Sequence, residues 1–372
     1  MNTLLEQALT PDGIRGSVNG GLQCGQVISI ARAFGDLISP EGDREFLIGH
    51  DARRSSASLA EAVSIGLRSG GHHVTHIGLC ATPMLRWYAA EQKFDGAVMI
   101  TGGRLPAEYN GLKLYREHAV ALSVGHGLEE VIARAEPAFY SGHACTPELH
   151  YASPLADYAA VIRSHCRTYT PIKVAIDAGN GIGGLDTRMV FSHLHTVRIW
   201  ELDFEPDGAF QNRSPNPQDP GALDTLSRCV VTHGCHLGIA FDGDADALMV
   251  VDETGLPIAP DRLGGLIALI MLEQHPGGGV VHGPAVSHEV TEAIRSAGGQ
   301  PLGVRDGGAA TIQVAMVDKQ ALFGISDRGN YFYGDLYSTD NALRSLIELI
   351  NGLADRPQPL STLIQTLRLE PA

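Results

Sequence analysis

The sequence predicts an α/β protein built from three successive domains with mixed or parallel sheets. Short apolar runs at 45–49 and 172–177 read as strands that each open a strand-and-helix series, and a third series restarts after Pro260. The series therefore restarts twice along 372 residues, a length that suits two or three domains. The composition is ordinarily globular and Gly-rich, with 44 glycines.

Glu45 to Gly49 is a short strand ending at His50-Asp51-Ala52-Arg53. A helix capped near Ser55 or Ser56 follows, with Leu59, Val63 and Leu67 on one face. His73 to Ile77 is the next strand. Gly96 to Thr101 is another, and its apolar run Val98-Met99-Ile100 suits a strand covered on both faces. The second series opens at Ile172 to Asp177, followed by the turn Ala178-Gly179-Asn180-Gly181. The third opens after Pro260, where Leu263, Leu266, Ile267, Ile270 and Met271 have helical spacing. Gly279 to His282 is then a strand, Ser287 to Ser296 a helix and Gln300 to Val304 a strand. Polar, Pro-containing stretches at 144–148 and 255–260 set the expected domains at 1–145, 146–256 and 257–372.

Formal net charge is −15, which disfavours nucleic acid and anionic membrane surfaces as partners but leaves room for a local basic pocket. The cysteines are Cys24, Cys80, Cys145, Cys166, Cys229 and Cys235, with no CxxC pair and no zinc spacing. Reduced thiols in a cytoplasmic protein are the simplest account. No signal peptide is evident, and no apolar run is long enough to span a bilayer. His72, His73 and His76 flank a strand whose alternate residues face opposite ways, so they read as surface histidines rather than a metal cluster. The glycines at 179–184 are a weak dinucleotide signal, and Asp177 reads as structural.

The sharpest chemical feature is Phe241-Asp242-Gly243-Asp244-Ala245-Asp246-Ala247, directly after the apolar run 237–241. Three close carboxylates repel unless a cation sits among them. Oxygen-only ligands suit a hard divalent ion, Mg²⁺ above others, so Asp242, Asp244 and Asp246 are candidate metal ligands. The competing account is a solvated acidic turn.

Eight segments in order carry a resemblance: Asp12-Gly13-Ile14-Arg15-Gly16, Gly49-His50-Asp51-Ala52-Arg53, Ala81-Thr82-Pro83, Glu108-Tyr109-Asn110-Gly111-Leu112-Lys113, Asp177-Ala178-Gly179-Asn180-Gly181, Glu205-Pro206-Asp207-Gly208, Pro215-Asn216-Pro217 and 238–246. Together they resemble the α-D-phosphohexomutase family of phosphomannomutases, phosphoglucomutases and phosphoglucosamine mutases. The resemblance implies three related α/β domains and a smaller fourth around a cleft. It implies a phosphoryl shift between C6 and C1 of a hexose, through a phosphoserine and a bisphosphorylated intermediate. It also places Arg15 near the phosphate and Lys113 near the reacting groups.

The loops depart from that pattern. Where the family has Thr-Ala-Ser-His-Asn-Pro, this chain has Thr101-Gly102-Gly103-Arg104-Leu105-Pro106. Gly103 replaces the nucleophilic serine, and Arg104 replaces a histidine with a side chain ill-suited to proton transfer. Thr101 lies two residues back, on the order of 6–7 Å along an extended chain. The family's Gly-Gly-Glu-x-Ser-Gly-His sugar loop becomes Gly324-Ile325-Ser326-Asp327-Arg328-Gly329-Asn330, with Ser326 and Arg328 in the gripping positions. Ala247 stands where an arginine closes the metal loop, and Gly308 where a histidine or similar side chain is usual. The sequence ends after 360–369, read as the last helix of the third domain, so the fourth domain is expected to be absent. The internal losses favour a native short form over truncation.

The expected protein is a degenerate phosphohexomutase homologue without standard mutase activity, binding Mg²⁺ and a phosphorylated sugar or other phosphate in a regulatory or assembly role. Gly102, Gly103, Arg104 and Arg15 are the expected phosphate ligands, the first two through backbone N–H groups, and Lys113 is the one candidate catalytic side chain. The competing account of Arg104 is a surface arginine paired with a carboxylate. A second copy or another protein is the alternative partner. A repurposed metal-dependent phosphoryl-transfer enzyme and a residual mutase remain alternative functions.

Overall fold

The computed structural model describes residues 8–135 and 147–367. Cys145, residues 144–146 of the first expected boundary and the end of the last expected helix lie outside them.

The first sheet contains β1 (Leu9–Thr10), β2 (Gly13–Ser17), β3 (Glu45–His50), β4 (His73–Leu79), β5 (Gly96–Ile100), β6 (Tyr109–Arg116), β7 (Val120–Ala121) and β8 (Leu149–Tyr151). Its order is β1-β2-β6-β5-β3-β4-β8, with β7 paired to β6. The second contains β9 (Ile172–Asp177), β10 (Val197–Leu202), β11 (Leu237–Phe241) and β12 (Leu248–Asp252), in the order β10-β9-β11-β12. The third contains β13 (Gly279–His282), β14 (Gln300–Gly303), β15 (Phe323–Ile325), β16 (Tyr331–Tyr333) and β17 (Thr339–Asp340), in the order β14-β13-β15-β16-β17. The fold class is therefore as expected: three α/β domains with mixed sheets.

All three sheets share one device. Parallel strands at the centre pass to an antiparallel neighbour through a hairpin: β5 to β6, β11 to β12 and β15 to β16. The three hairpin loops are 101–108, 242–247 and 326–330, the same loops in which the sequence departs from the family pattern or carries the carboxylates. β5 and β11 are buried along their whole length, as strands covered on both faces should be. Their apolar runs hold the loops rigidly at their ends.

The helices are α1 (Cys24–Ile38), α2 (Ser56–Ser69), α3 (Thr82–Glu91), α4 (Leu128–Arg134), α5 (Leu155–Ser164), α6 (Gly183–Phe191), α7 (Asp224–His233), α8 (Pro260–Leu272), α9 (His288–Ser296), α10 (Ala309–Lys319), α11 (Ala342–Ala354) and α12 (Leu360–Gln365). Leu59, Val63 and Leu67 of α2 are buried as their spacing predicts. The expected serine cap is not made. Ser55 occupies the N-cap position, but its hydroxyl accepts from Asn110 Nδ2 at 2.8 Å, and Ser56 donates to Asp51. One continuous core runs through all three domains, from Leu47 and Leu85 through Ile176 and Phe241 to Leu266 and Phe323. Around the second expected boundary the chain still pairs with β12: Ile258 N–H donates to Val250 O at 2.9 Å.

The three histidines do not gather, but the surface reading fails for two of them. His72 and His76 are buried, His72 edge-on to Phe46, while His73 reaches Asp43 at 3.3 Å. Asp177 is structural: its carboxylate accepts from Gly179 N–H at 2.7 Å and pairs with Arg213 at 2.9 Å.

Candidate functional site

The site grows from the β11–β12 hairpin. Ala245 takes a left-handed conformation (φ 57°), which bends the loop so that alternate carboxylates point one way. Asp242, Asp244 and Asp246 are all buried, and one oxygen of each lies within 4.8 Å of the others. Three buried anions this close need countercharge.

Lys113 of β6 supplies part of it. Its ammonium donates to Asp244 Oδ2 at 2.7 Å and Asp246 Oδ2 at 2.6 Å. Burial works against the charge on Lys113, but the two carboxylates outweigh it and hold the ammonium well above its usual range. In turn, burial pushes Asp246 up, and Lys113 overcomes this to hold it down at about 2. Asp242 lies further from the lysine, and burial together with Asp246 and Asp244 raises it well above the carboxylate range. Thr82 at the start of α3 donates to Asp244 Oδ2 at 2.5 Å, and its N–H donates to Asp244 O at 3.0 Å. Asn330 donates to Asp246 Oδ1 at 3.1 Å.

One atom remains unsatisfied. Asp244 Oδ1 is buried without a hydrogen-bond partner, and a Cβ at Gly103 would lie 3.6 Å from it. An orphaned carboxylate oxygen costs desolvation energy unless something binds it. Oxygen donors of this kind suit a hard cation, so the residues fit a divalent ion held by Asp242, Asp244 and Asp246.

The loop after β5 meets this triad. Gly103 sits at φ 56°, a conformation that favours glycine. Its carbonyl accepts from Arg53 Nη2 at 2.9 Å, and its N–H donates to Thr101 Oγ1 at 2.8 Å. The Gly103 N–H expected to greet a phosphate is therefore already used. Thr101 in turn donates to Asp51 at 2.7 Å, and Asp51 pairs with Arg53 in full burial. This network fixes the loop from below. Arg104 points across the cleft. Its Nε donates to Asp242 Oδ2 at 3.3 Å, Nη1 to Gln218 at 3.3 Å and Nη2 to the Arg328 carbonyl at 2.6 Å. It pairs with a carboxylate, as the competing account held, but that carboxylate belongs to the triad.

The remaining candidates scatter. Arg15 lies opposite Gly111 across the β2–β6 pairing, and its guanidinium donates to the Ile14 and Leu112 carbonyls at 3.0 and 3.2 Å. Ser326 is buried and organises its own turn, its hydroxyl accepting from Asn330 N–H at 3.0 Å. The Arg328 side chain is exposed, and only its carbonyl joins the cleft.

Sequence reasoning missed a ring of contacts through all three domains. Lys113 meets Asp246, Asp246 meets Asn330, and Asn330 donates to Asp340 Oδ2 at 2.9 Å. Asp340 pairs with buried Arg86, whose guanidinium lies 5.0 Å from the Tyr115 ring on the strand of Lys113. Burial raises Asp340 to about 6 despite Arg86. Thr82 stood in a recognised segment. Nothing in local spacing could have paired positions 86 and 340.

Comparisons with known proteins agree with this architecture. Family models for phosphoglucomutase/phosphomannomutase α/β/α domains I, II and III match residues 6–138, 151–255 and 259–369. A protein of Xanthomonas campestris named "Phosphohexose mutases" is 33% identical over 347 residues, covering 90% of this chain and 75% of the relative. A crystal structure of a phosphoglucomutase/phosphomannomutase family protein from Burkholderia thailandensis superposes with a TM-score of 0.90 at 26% identity, over 98% of this chain and 80% of that one. The fold alone is shared with Aspergillus fumigatus N-acetylphosphoglucosamine mutase, solved in complex with GlcNAc-6P and magnesium, at a TM-score of 0.57 and 13% identity over 92% of this chain and 80% of that one. With three matched domains in order and three equivalent hairpin loops converging on the carboxylates, the chain belongs to the phosphoglucomutase/phosphomannomutase family.

Proposed function

We propose that this protein binds a divalent cation, Mg²⁺ first among them, and a phosphorylated sugar in its central cleft without turning the sugar over as a mutase. A ligand-responsive regulatory or assembly role follows from that reading. The observation that carries it is Gly103, which presents no oxygen where its loop faces Asp244 Oδ1. A phosphoryl shift through an enzyme ester needs a nucleophile there. Thr101, the nearest hydroxyl in the loop, is buried and bonded to both Asp51 and Gly103. Arg104, already laid on Asp242, is the cation that an incoming phosphate would meet first. The orphaned Asp244 oxygen supports the metal, and the fungal relative's GlcNAc-6P and magnesium supply a precedent for the ligand class.

A coupled assay from mannose or glucose 1-phosphate, with hexose 1,6-bisphosphate present, tests the loss of turnover. Rates near the usual range of roughly 1–10³ s⁻¹ overturn it. Calorimetry with glucose 6-phosphate tests the binding. Heat that depends on Mg²⁺ and falls in Arg104→Ala is expected, and the absence of Mg²⁺-dependent heat refutes the ligand site. Product other than the isomeric sugar phosphate, formed only with intact Asp244, would instead identify a repurposed phosphoryl-transfer enzyme.

A further inference from the structure

A cation entering the carboxylate cluster meets a competitor already in place. Asp244 Oδ2 accepts from Lys113 and Thr82, and the two oxygens of Asp246 accept from Lys113 and Asn330. Asp242 Oδ1 accepts from Ala247 N–H at 3.3 Å, and Asp242 Oδ2 accepts from Arg104 Nε at 3.3 Å. Among the described residues, Asp244 Oδ1 is the carboxylate oxygen of the triad left without a donor. An ion held by all three carboxylates must therefore take oxygens from donors that now hold them.

Arg104 is the donor placed to let go. Lys113 is buried between two carboxylates, and the Ala247 donor is backbone. The Arg104 side chain keeps 21% of its surface in solvent, and its other partners, Gln218 Oε1 at 3.3 Å and the Arg328 carbonyl at 2.6 Å, carry no charge. The backbone on either side of it is pinned, since Arg53 Nη2 donates to Gly103 O at 2.9 Å and to Leu105 O at 2.5 Å. Release therefore needs only a side-chain rotation, a fast and local motion.

Charge sets the condition for release. The triad, when ionised, is faced by the ammonium of Lys113 and the guanidinium of Arg104. A dication added to that set leaves positive charge in excess, and on Asp242 it would meet a guanidinium that repels it. A phosphoryl dianion resolves both conflicts. Its oxygens match the planar fork of an arginine, and its charge balances the ion.

We propose that Arg104 gates the cation site: it holds Asp242 until the phosphoryl group of a ligand takes it, which frees Asp242 Oδ2 for the ion. The cation and the phosphorylated ligand then strengthen each other's binding by the same factor. This gate rests on the function proposed above and adds a condition to it, that cation and anion are held together or weakly.

The test uses Mn²⁺, which shares the oxygen preference of Mg²⁺ and whose free form is read by electron paramagnetic resonance. It is titrated into the full chain with and without glucose 6-phosphate. The sugar phosphate should tighten Mn²⁺ binding to the native chain tenfold or more. Arg104→Gln should bind Mn²⁺ alone at least tenfold more tightly than the native chain does, and gain less from the sugar phosphate. A second measurement follows the Arg104 Nε–H resonance of the native chain, assigned by its absence from Arg104→Lys. It should move when Mg²⁺ and glucose 6-phosphate are added together, because the proton changes acceptor. Equal Mn²⁺ affinity in the native chain and Arg104→Gln, or an unmoved resonance at saturation, overturns the gate and leaves the cation site standing. No Mn²⁺ bound by either protein refutes the cation site and the gate with it.

Discussion

At the residue scale, Asp244 is the carboxylate whose loss is most diagnostic. One oxygen is held by Thr82 and Lys113, and the other is free for a cation. Mg²⁺ should raise the melting temperature of the native chain, and Asp244→Asn should remove that rise; identical melting of the native chain with and without Mg²⁺ would show that Lys113 and Arg104 neutralise the triad without a metal. Asp186 offers a test of a different kind. It lies in the first turn of α6, and its Oδ2 is buried without a partner. Burial alone raises it to about 7, and its carboxyl adds to the burial that pushes up Cys80 and Tyr158. A folded pKa above the usual 3.8 means the folded state prefers the proton. Stability from this group is complete below about pH 4 and is lost as pH rises through 7. Asp186→Asn should therefore stabilise the protein above pH 7, by up to on the order of 4 kcal/mol at about 1.4 kcal/mol per pH unit, and change little at pH 4. Urea titrations at the two pH values measure the difference.

At the element scale, the β15–β16 hairpin has become a bridge between domains. Asn330 gives one amide to two carboxylates, Asp246 in the second domain and Asp340 in its own. Asn330→Ala leaves both acceptors short of a donor in a half-buried cleft. A loss of about 1–3 kcal/mol is expected from denaturant titration, and no measurable loss would mean that water replaces the amide. The β5–β6 loop behaves differently. Gly103→Ser brings its Cβ into ordinary contact with Asp244 Oδ1 at 3.6 Å but must adopt a left-handed backbone, at a cost of about 1–2 kcal/mol. It should lower stability by that amount without restoring mutase turnover, since Arg104 and the Ser326 loop are unchanged.

At the scale of the whole molecule, the three domains are expected to unfold as one cooperative object. One hydrophobic cluster reaches through all three domains beside a further cluster within each, and the ring from Lys113 through Asp246, Asn330 and Asp340 to Arg86 links the same three domains. Scanning calorimetry should give one transition whose calorimetric and van 't Hoff enthalpies agree, and resolved peaks would show independent domains. Arg86→Met removes one partner of a buried pair and leaves Asp340 uncompensated. It should destabilise the whole chain by about 3–5 kcal/mol rather than melt one domain.

The sequence alone determined what depends on nearby residues. Apolar runs placed β3, β5, β9, β11 and β13, because central strands bury at least half of their residues, and β5 and β11 all of them. Alternation of Asp242, Asp244 and Asp246 exposed the carboxylate cluster, because its ligands share one loop. The order of short segments identified the family, and the absence of a side chain at Gly103 was plain from the letter itself. Tertiary structure decided where every long side chain went. Arg104 found Asp242 at a separation of 138 residues and Arg86 found Asp340 at 254, so no periodicity could connect them. It also decided that Gly103 N–H serves Thr101, that Ser55 serves Asn110 instead of its helix, and that two of three apparently surface histidines are buried. Local pattern is set by neighbours in the chain, whereas countercharge and hydrogen-bond pairing are settled by whatever the packed core brings alongside.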